Sequence, residues 1–273
     1  MRISLATDPS TPDWPNEDFA AVAPGVAVLI DGAGTPGGRE SGCVHGVAWF
    51  ARTLGGLAAA HASDTTQPLT EALSISIEQV NQLHAGTCDL THPGAPSATV
   101  IMTRRHAGSV EYLVLCDSIL LLKRKDGETL VVSDTRLDEL SARLRPGFRR
   151  LPPGSDEREA GRQEYLVQLD AARNKPGGYW VAATDPDAAR HALTGAEPDR
   201  ELASVALLSD GAGRLIERYR QATWPEVSAI LAEHGPAELI RRVRAIEAAD
   251  AGAERWPRSK LRDDATALYW PLG

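Results

Sequence analysis

Short apolar runs alternate with polar breaks marked by glycine or proline, and the length and period of each run sort it into strand or helix. Residues 2–7 (RISLAT) predict a first strand, which the three prolines and polar turn residues of 7–18 then end. Residues 18–23 (DFAAVA) and 26–31 (VAVLID), separated by Pro-Gly, predict a hairpin that ends at Asp31. The glycine-rich residues 32–42 are incompatible with regular structure, whereas residues 43–62 and 68–85 have helix-forming content and predict two helices covering one sheet face. Residues 97–105, 109–116, 118–125 and 129–133 read as an antiparallel meander of four strands, interrupted at its most apolar part by Asp117. Helical segments at 136–144 and 157–175 flank a proline-rich break at 151–154. Residues 179–184 (YWVAAT) and 205–210 (VALLSD) predict strands, residues 213–220, 224–234 and 236–250 three amphipathic helices, and residues 265–270 (ATALYW) a closing strand.

The string VAVLIDGAG at 26–34 reappears in altered form as VALLSDGAG at 205–213, and nothing around the two copies lines up further. Each reads as a buried strand ending in an acid at a tight turn, and the short shared string is not a structural repeat. Asp-Gly is also a common hairpin turn dipeptide, which is the plainer reading of either copy alone.

Blocks of strands and helices predict an α+β sandwich in layers. With 273 residues and 42% hydrophobic content the chain can bury a sizeable core, and the lack of a long linker points to one domain over residues 1–273. A formal charge of -8 argues against nonspecific binding to nucleic acid or anionic membranes. No leader-like segment opens the chain and no apolar run reaches the length of a membrane span, so a cytoplasmic protein is expected. Cys43, Cys88 and Cys116 are odd in number, without metal-binding spacing, and are expected to be reduced, buried and inert. The seven histidines show no HxxxH pairing, so no zinc site is expected and each histidine is assigned to surface or packing.

Acids fall at predicted strand edges in five segments: Glu17 and Asp18, Asp31, Asp117, Asp210, and Asp263 with Asp264. Brought together, such groups would raise one another's pKa unless a cation neutralised them, and an all-oxygen donor set selects Mg²⁺ or Mn²⁺.

The ordered strings NED at 16–18, DGAG at 31–34, GAPSATV at 94–100, CDS at 116–118, SDG at 209–211 and DDAT at 263–266 resemble the signature of the metal-dependent protein serine/threonine phosphatases of the PPM, type 2C class. The resemblance spans nearly the whole chain and implies a four-layer α-β-β-α sandwich of two antiparallel sheets flanked by helices. It implies that Asp31 bridges two metals, that the Gly32 carbonyl binds one of them, and that Asp210 and Asp263 complete the ligands of the other. Glu17 and Asp18 match a pair that holds metal-bound water, and Asp117 an acid that binds a third ion. Ser97 and Thr99 match a structural strand-start motif. The implied activity is hydrolysis of phosphoserine or phosphothreonine in a protein substrate, by a hydroxide shared between two Mn²⁺ or Mg²⁺ ions about 3.5–4 Å apart. The chain departs from the pattern at Asp13, where many members carry a phosphate-binding Arg, at Ala33, where some carry His, and at Cys116 and Ile119, where Gly-Asp-Ser-Arg is usual. Arg258, Lys260 and Arg262, beside Asp263, are the candidates for the missing phosphate contact. A degenerate regulatory module and a small-molecule phosphatase remain alternative readings.

Overall fold

The computed structural model describes residues 2–34, 40–150, 155–258 and 260–272. The proline-rich break at 151–154 and the middle of the glycine-rich stretch, 35–39, lie outside them. In chain order the elements are β1 (Ser4–Asp8), β2 (Asp18–Ala23), β3 (Val26–Ala33), α1 (Val47–Ala62), α2 (Leu69–His84), β4 (Ser97–His106), β5 (Ser109–Leu115), β6 (Ile119–Arg124), β7 (Thr129–Val132), α3 (Arg136–Leu144), α4 (Pro146–Arg149), α5 (Asp156–Ala172), β8 (Leu193–Pro198), β9 (Leu202–Leu208), α6 (Asp210–Glu217), α7 (Trp224–His234), α8 (Pro236–Ala249) and β10 (Ala265–Pro271). They form two antiparallel five-stranded sheets, ordered β2-β3-β4-β5-β8 and β1-β10-β9-β6-β7.

Strand parity builds the layers. In β3, Val26, Val28 and Ile30 face a core shared with α1 and α2, while Ala27 and Leu29 face the space between the sheets. In β6 and β9 of the other sheet, Leu120, Leu122, Val205 and Leu207 fill that same central space, and Ile119, Leu121, Ala206 and Leu208 pack outward against α6, α7 and α8. Both faces of each central strand are therefore covered, which is why these strands read as continuous apolar runs rather than alternating ones. Burying each Leu, Ile or Val contributes about 1.5–3 kcal/mol. The result is the four-layer α-β-β-α sandwich expected from the sequence.

The four-stranded meander is a correction. β4 and β5 belong to one sheet and β6 and β7 to the other, so the chain changes sheets at Cys116–Ser118. Cys116 makes the turn with φ of 70°, a conformation natural to glycine and strained for any other residue. That geometry gives a physical reason for the glycine usual at this place in the motif. Residues 179–184 form no strand: they contribute two isolated bridges, Tyr179 to Arg173 and Ala182 to Ala98, and Tyr179 and Val181 pack with Cys116 in a small satellite core. β8, which no pattern suggested, is an edge strand with no buried residue. The first long helix begins at Val47, four residues later than its apolar content suggests. No helix among the described residues is long and apolar enough to cross a membrane.

Candidate metal centre

Parity carries the central acids to one end of the sandwich. Asp31 follows Ala27 and Leu29 on the inter-sheet face of β3, and Asp18 is its direct partner across the β2–β3 ladder. Asp210 opens α6 after β9, and its backbone N–H donates to Asp31 Oδ2 at 3.2 Å. The two Asp-Gly copies thus meet across the gap between sheets. Asp263 precedes β10, the neighbour of β9, and is buried.

The surrounding backbone is drawn tight around these acids. Asp264, which the sequence analysis paired with Asp263 without assigning it a role, accepts from the Ser10 and Glu17 N–H groups at 2.6 and 2.7 Å and ties the N-terminal loop to β10. Gly32 N–H donates to the Glu17 carbonyl at 3.1 Å, and a Cβ on Gly32 would lie 2.6 Å from that oxygen. Gly211 is as confined: its Cβ would fall 1.9 Å from the Asp264 carbonyl oxygen. Only glycine fits at either Asp-Gly turn. Thr99, the partner of Asp31 across β3–β4, hydrogen-bonds the buried Ser118 hydroxyl, in keeping with a bracing role.

Electrostatics separates these acids from ordinary surface carboxylates. Burial, reinforced by Asp210 and Asp264, pushes Asp18 up to about 8, although hydrogen bonds from Ser209 and Thr266 pull the other way. Asp31 is raised well above the usual range by burial and then by Asp18, Asp210 and Asp263. Asp263 is raised by burial and Asp210, and Glu17 mainly by burial. Asp117 is lifted to about 7 by burial, Asp210 and Asp138, and Glu217, one helix away, to about 8 by burial with Asp138 and Asp117.

Two cations answer this charge, neither recognised as a partner of Asp263 from sequence. Arg214, one turn beyond Asp210 on α6, donates to Asp263 Oδ2 at 2.8 Å, and Lys260 Nζ donates to Oδ1 at 2.7 Å. The Asp210-to-Arg214 spacing of four on a helix was the available signal for the first. Four carboxylates (Asp18, Asp31, Asp210 and Asp263) still outnumber these two cations, and Asp18 Oδ2 is buried without any hydrogen-bond partner. An orphaned buried carboxylate oxygen in a surplus of negative charge fits an all-oxygen site for Mg²⁺ or Mn²⁺. The acids gather at this end without closing on one another: among the described residues, no three bring oxygens within 4.8 Å of each other.

The three basic candidates part company. Lys260 faces the cluster and feels Asp263, Asp210 and Asp31. Arg258 does not join it: its side chain is 2% exposed and spends its donors on Asp250, Leu261 and Trp256. Arg262 reaches Asp8 and Glu247. Asp13 is exposed.

No family model and no curated protein matches the sequence. Solved structures do. The chain aligns over 98% of its length with 96% of PppA, a regulatory component of T6SS in Pseudomonas aeruginosa, at a TM-score of 0.56 and 17% identity. It aligns over 99% of its length with 97% of the catalytic domain of the serine/threonine phosphatase PstP bound to two manganese ions, at 0.55 and 17%. Its full length matches 99% of the PPM Ser-Thr phosphatase MsPP from Mycobacterium smegmatis, at 0.57 and 16%. The chain has the fold of the bacterial PPM serine/threonine phosphatases. In this PPM fold the strand ends that carry Asp31 and Asp210, and the segment leading into β10 that carries Asp263, converge at one end of the sandwich.

The cysteines depart from the sequence expectation. Only Cys116 is buried, and Cys43 and Cys88 are partly exposed and lie beside His45 and His84.

Proposed function

We propose that this chain is a Mn²⁺- or Mg²⁺-dependent phosphomonoester hydrolase acting on phosphoserine and phosphothreonine in proteins. The observation that carries the reading is the meeting of Asp18, Asp31, Asp210 and Asp263 at one end of the sandwich, with Asp18 Oδ2 buried and unpartnered. Asp31, Asp210, Asp263 and the Gly32 carbonyl would hold the ions, with Glu17 and Asp18 orienting the water around them. When bound, two such ions supply an activated water and a clamp on the phosphoryl oxygens. Asp264 fixes Glu17 through its backbone, and Arg214 fixes Asp263. Lys260, the basic candidate that faces these acids, meets the charge of the incoming phosphate, taking the place left by Asp13. Asp117, which feels the charges of Asp138 and Asp210, would hold a further ion.

A second reading has its own support. Both oxygens of Asp263 are engaged by Arg214 and Lys260, and Asp13 and Ala33 remove groups that would bind phosphate or donate a proton, as in a module that recognises a partner and turns over little. Hydrolysis of a generic aryl phosphate with Mn²⁺, and its loss on chelation, decides between them. Phosphate release in Mn²⁺ supports the enzyme, and no release at saturating metal supports the module.

A further inference from the structure

Away from the carboxylates, four soft donors converge that neither the fold comparison nor the proposed hydrolysis uses. We propose that Cys43, His45, His84 and Cys88 form a tetrahedral zinc site that clips the segment entering α1 to the end of α2.

The geometry is that of a coordination shell. All four ligand atoms lie within 4.8 Å of one another. Cys43 Sγ stands 3.4 Å from Cys88 Sγ, 3.6 Å from His84 Nδ1 and 3.9 Å from His45 Nδ1, and His45 Nδ1 stands 3.3 Å from Cys88 Sγ. A zinc ion with Zn–S of about 2.3 Å and Zn–N of about 2.0 Å sets tetrahedral ligands about 3.3–3.8 Å apart, within a few tenths of an ångström of these four edges. Two thiols and two imidazoles suit zinc and not Mg²⁺ or Mn²⁺, so this site and the carboxylate cluster select different ions. A disulfide would need the sulfurs at about 2.05 Å and would leave two imidazoles converging for no purpose.

Local structure aims each donor. His84 is the last residue of α2 and is 2% exposed, and its Nε2 is buried without a partner while Nδ1 turns to the cluster. The Thr87 and Cys88 N–H groups fold back onto the His84 carbonyl at 3.0 and 2.9 Å, which returns Cys88 over the helix end. Trp49 stacks on His45 with centroids 4.3 Å apart and fixes that ring from the other side. The two arms are also joined by the Asp89 N–H bond to the Gly42 carbonyl at 2.8 Å, with Gly42 at φ 68°. Helix α1 has Gly46 as its N-cap and so no side-chain cap, and Val47, its first residue, abuts Gly32. The zinc clip would therefore fix a helix start that lacks a cap of its own and that borders the carboxylate site.

The pairs C-x-H and H-x3-C are each too short a signal in sequence, and the two halves come together only through the packing of α1 on α2. That is why spacing alone argued against zinc.

The test is metal content of the full chain purified reduced, chelated, and then supplied with Zn²⁺ or Co²⁺ before desalting. Wild type should retain about one zinc per chain, and Co²⁺ should give the intense visible bands and sulfur-to-cobalt charge transfer of a tetrahedral thiolate site. Cys43→Ser with Cys88→Ser should lose both signals, and Asp31→Asn should keep them. No retained zinc and no tetrahedral cobalt spectrum in wild type would overturn the proposal, even if the double serine variant fails to fold. Zinc lost in Asp31→Asn but kept in the double serine variant would overturn it too, by placing the ion among the carboxylates.

Discussion

Replacing Asp18 by Asn asks whether the carboxylate cluster is held together against its own charge. In metal-free protein Asp18 is raised from an ordinary 3.8 to about 8 by burial and by Asp210 and Asp264. Below about pH 4 it is protonated in the folded and unfolded states alike and costs nothing. As pH rises, the unfolded chain ionises freely while the folded chain must keep the proton or bury a charge, so stability is lost progressively and fully by a little above pH 8. A rise from 3.8 to about 8 sets a ceiling of about 6 kcal/mol on this loss. Because Asp31 shares the same charge, about 2–3 kcal/mol is the share expected from Asp18 alone. Asn imitates the protonated carboxyl and can still accept from Ser209 and Thr266. In chelator at about pH 8 the variant should therefore melt roughly 5–10 °C above wild type, and the gap should close near pH 4. Thermal melts of both proteins in the same chelator across this range supply the measurement, and shared treatment cancels any effect at the Cys43–Cys88 cluster. A variant no more stable than wild type at pH 8, or a gap that does not shrink on acidification, would refute the reasoning.

Mn²⁺ should narrow that gap: at a hundred times its dissociation constant it should add about 2.7 kcal/mol to wild type and less to Asp18→Asn, read as a shift in Tm. Arg258→Ala should lower Tm and leave KM for an aryl phosphate unchanged, since its guanidinium binds the buried Asp250 carboxylate and nearby carbonyls. Lys260→Ala should raise KM more than it lowers kcat, and a change confined to kcat would deny it the phosphate.

Much of this architecture was legible because both faces of β3, β6, β9 and β10 are buried, leaving apolar runs with an acid just before or at the end of each. The partition of those strands between sheets was not legible. An antiparallel strand looks the same whether its neighbour pairs with it or faces it across a core, and the switch rests on the backbone angle of Cys116. β8 escaped notice because an exposed edge strand reading LTGAEP has no face to bury. Residues 179–184 misled for the opposite reason, being apolar enough for a strand while serving as packing under Leu137 and Leu140. At the candidate site, Asp31 and Asp210 were paired by the motif resemblance, since either Asp-Gly copy alone also reads as a turn. Arg258 could not be told from Lys260, because a run of basic residues does not say which side chain folds back onto Asp250.

The most direct measurement is phosphate release from a phosphothreonine peptide in saturating Mn²⁺, comparing wild type with Asp31→Asn and checking both by circular dichroism. If Asp31 holds the ions at the centre of this site, the variant should stay folded and lose activity by on the order of a hundredfold or more. Equal rates in the two proteins, or a wild-type rate that survives chelation, would contradict the assignment of hydrolysis to this carboxylate cluster.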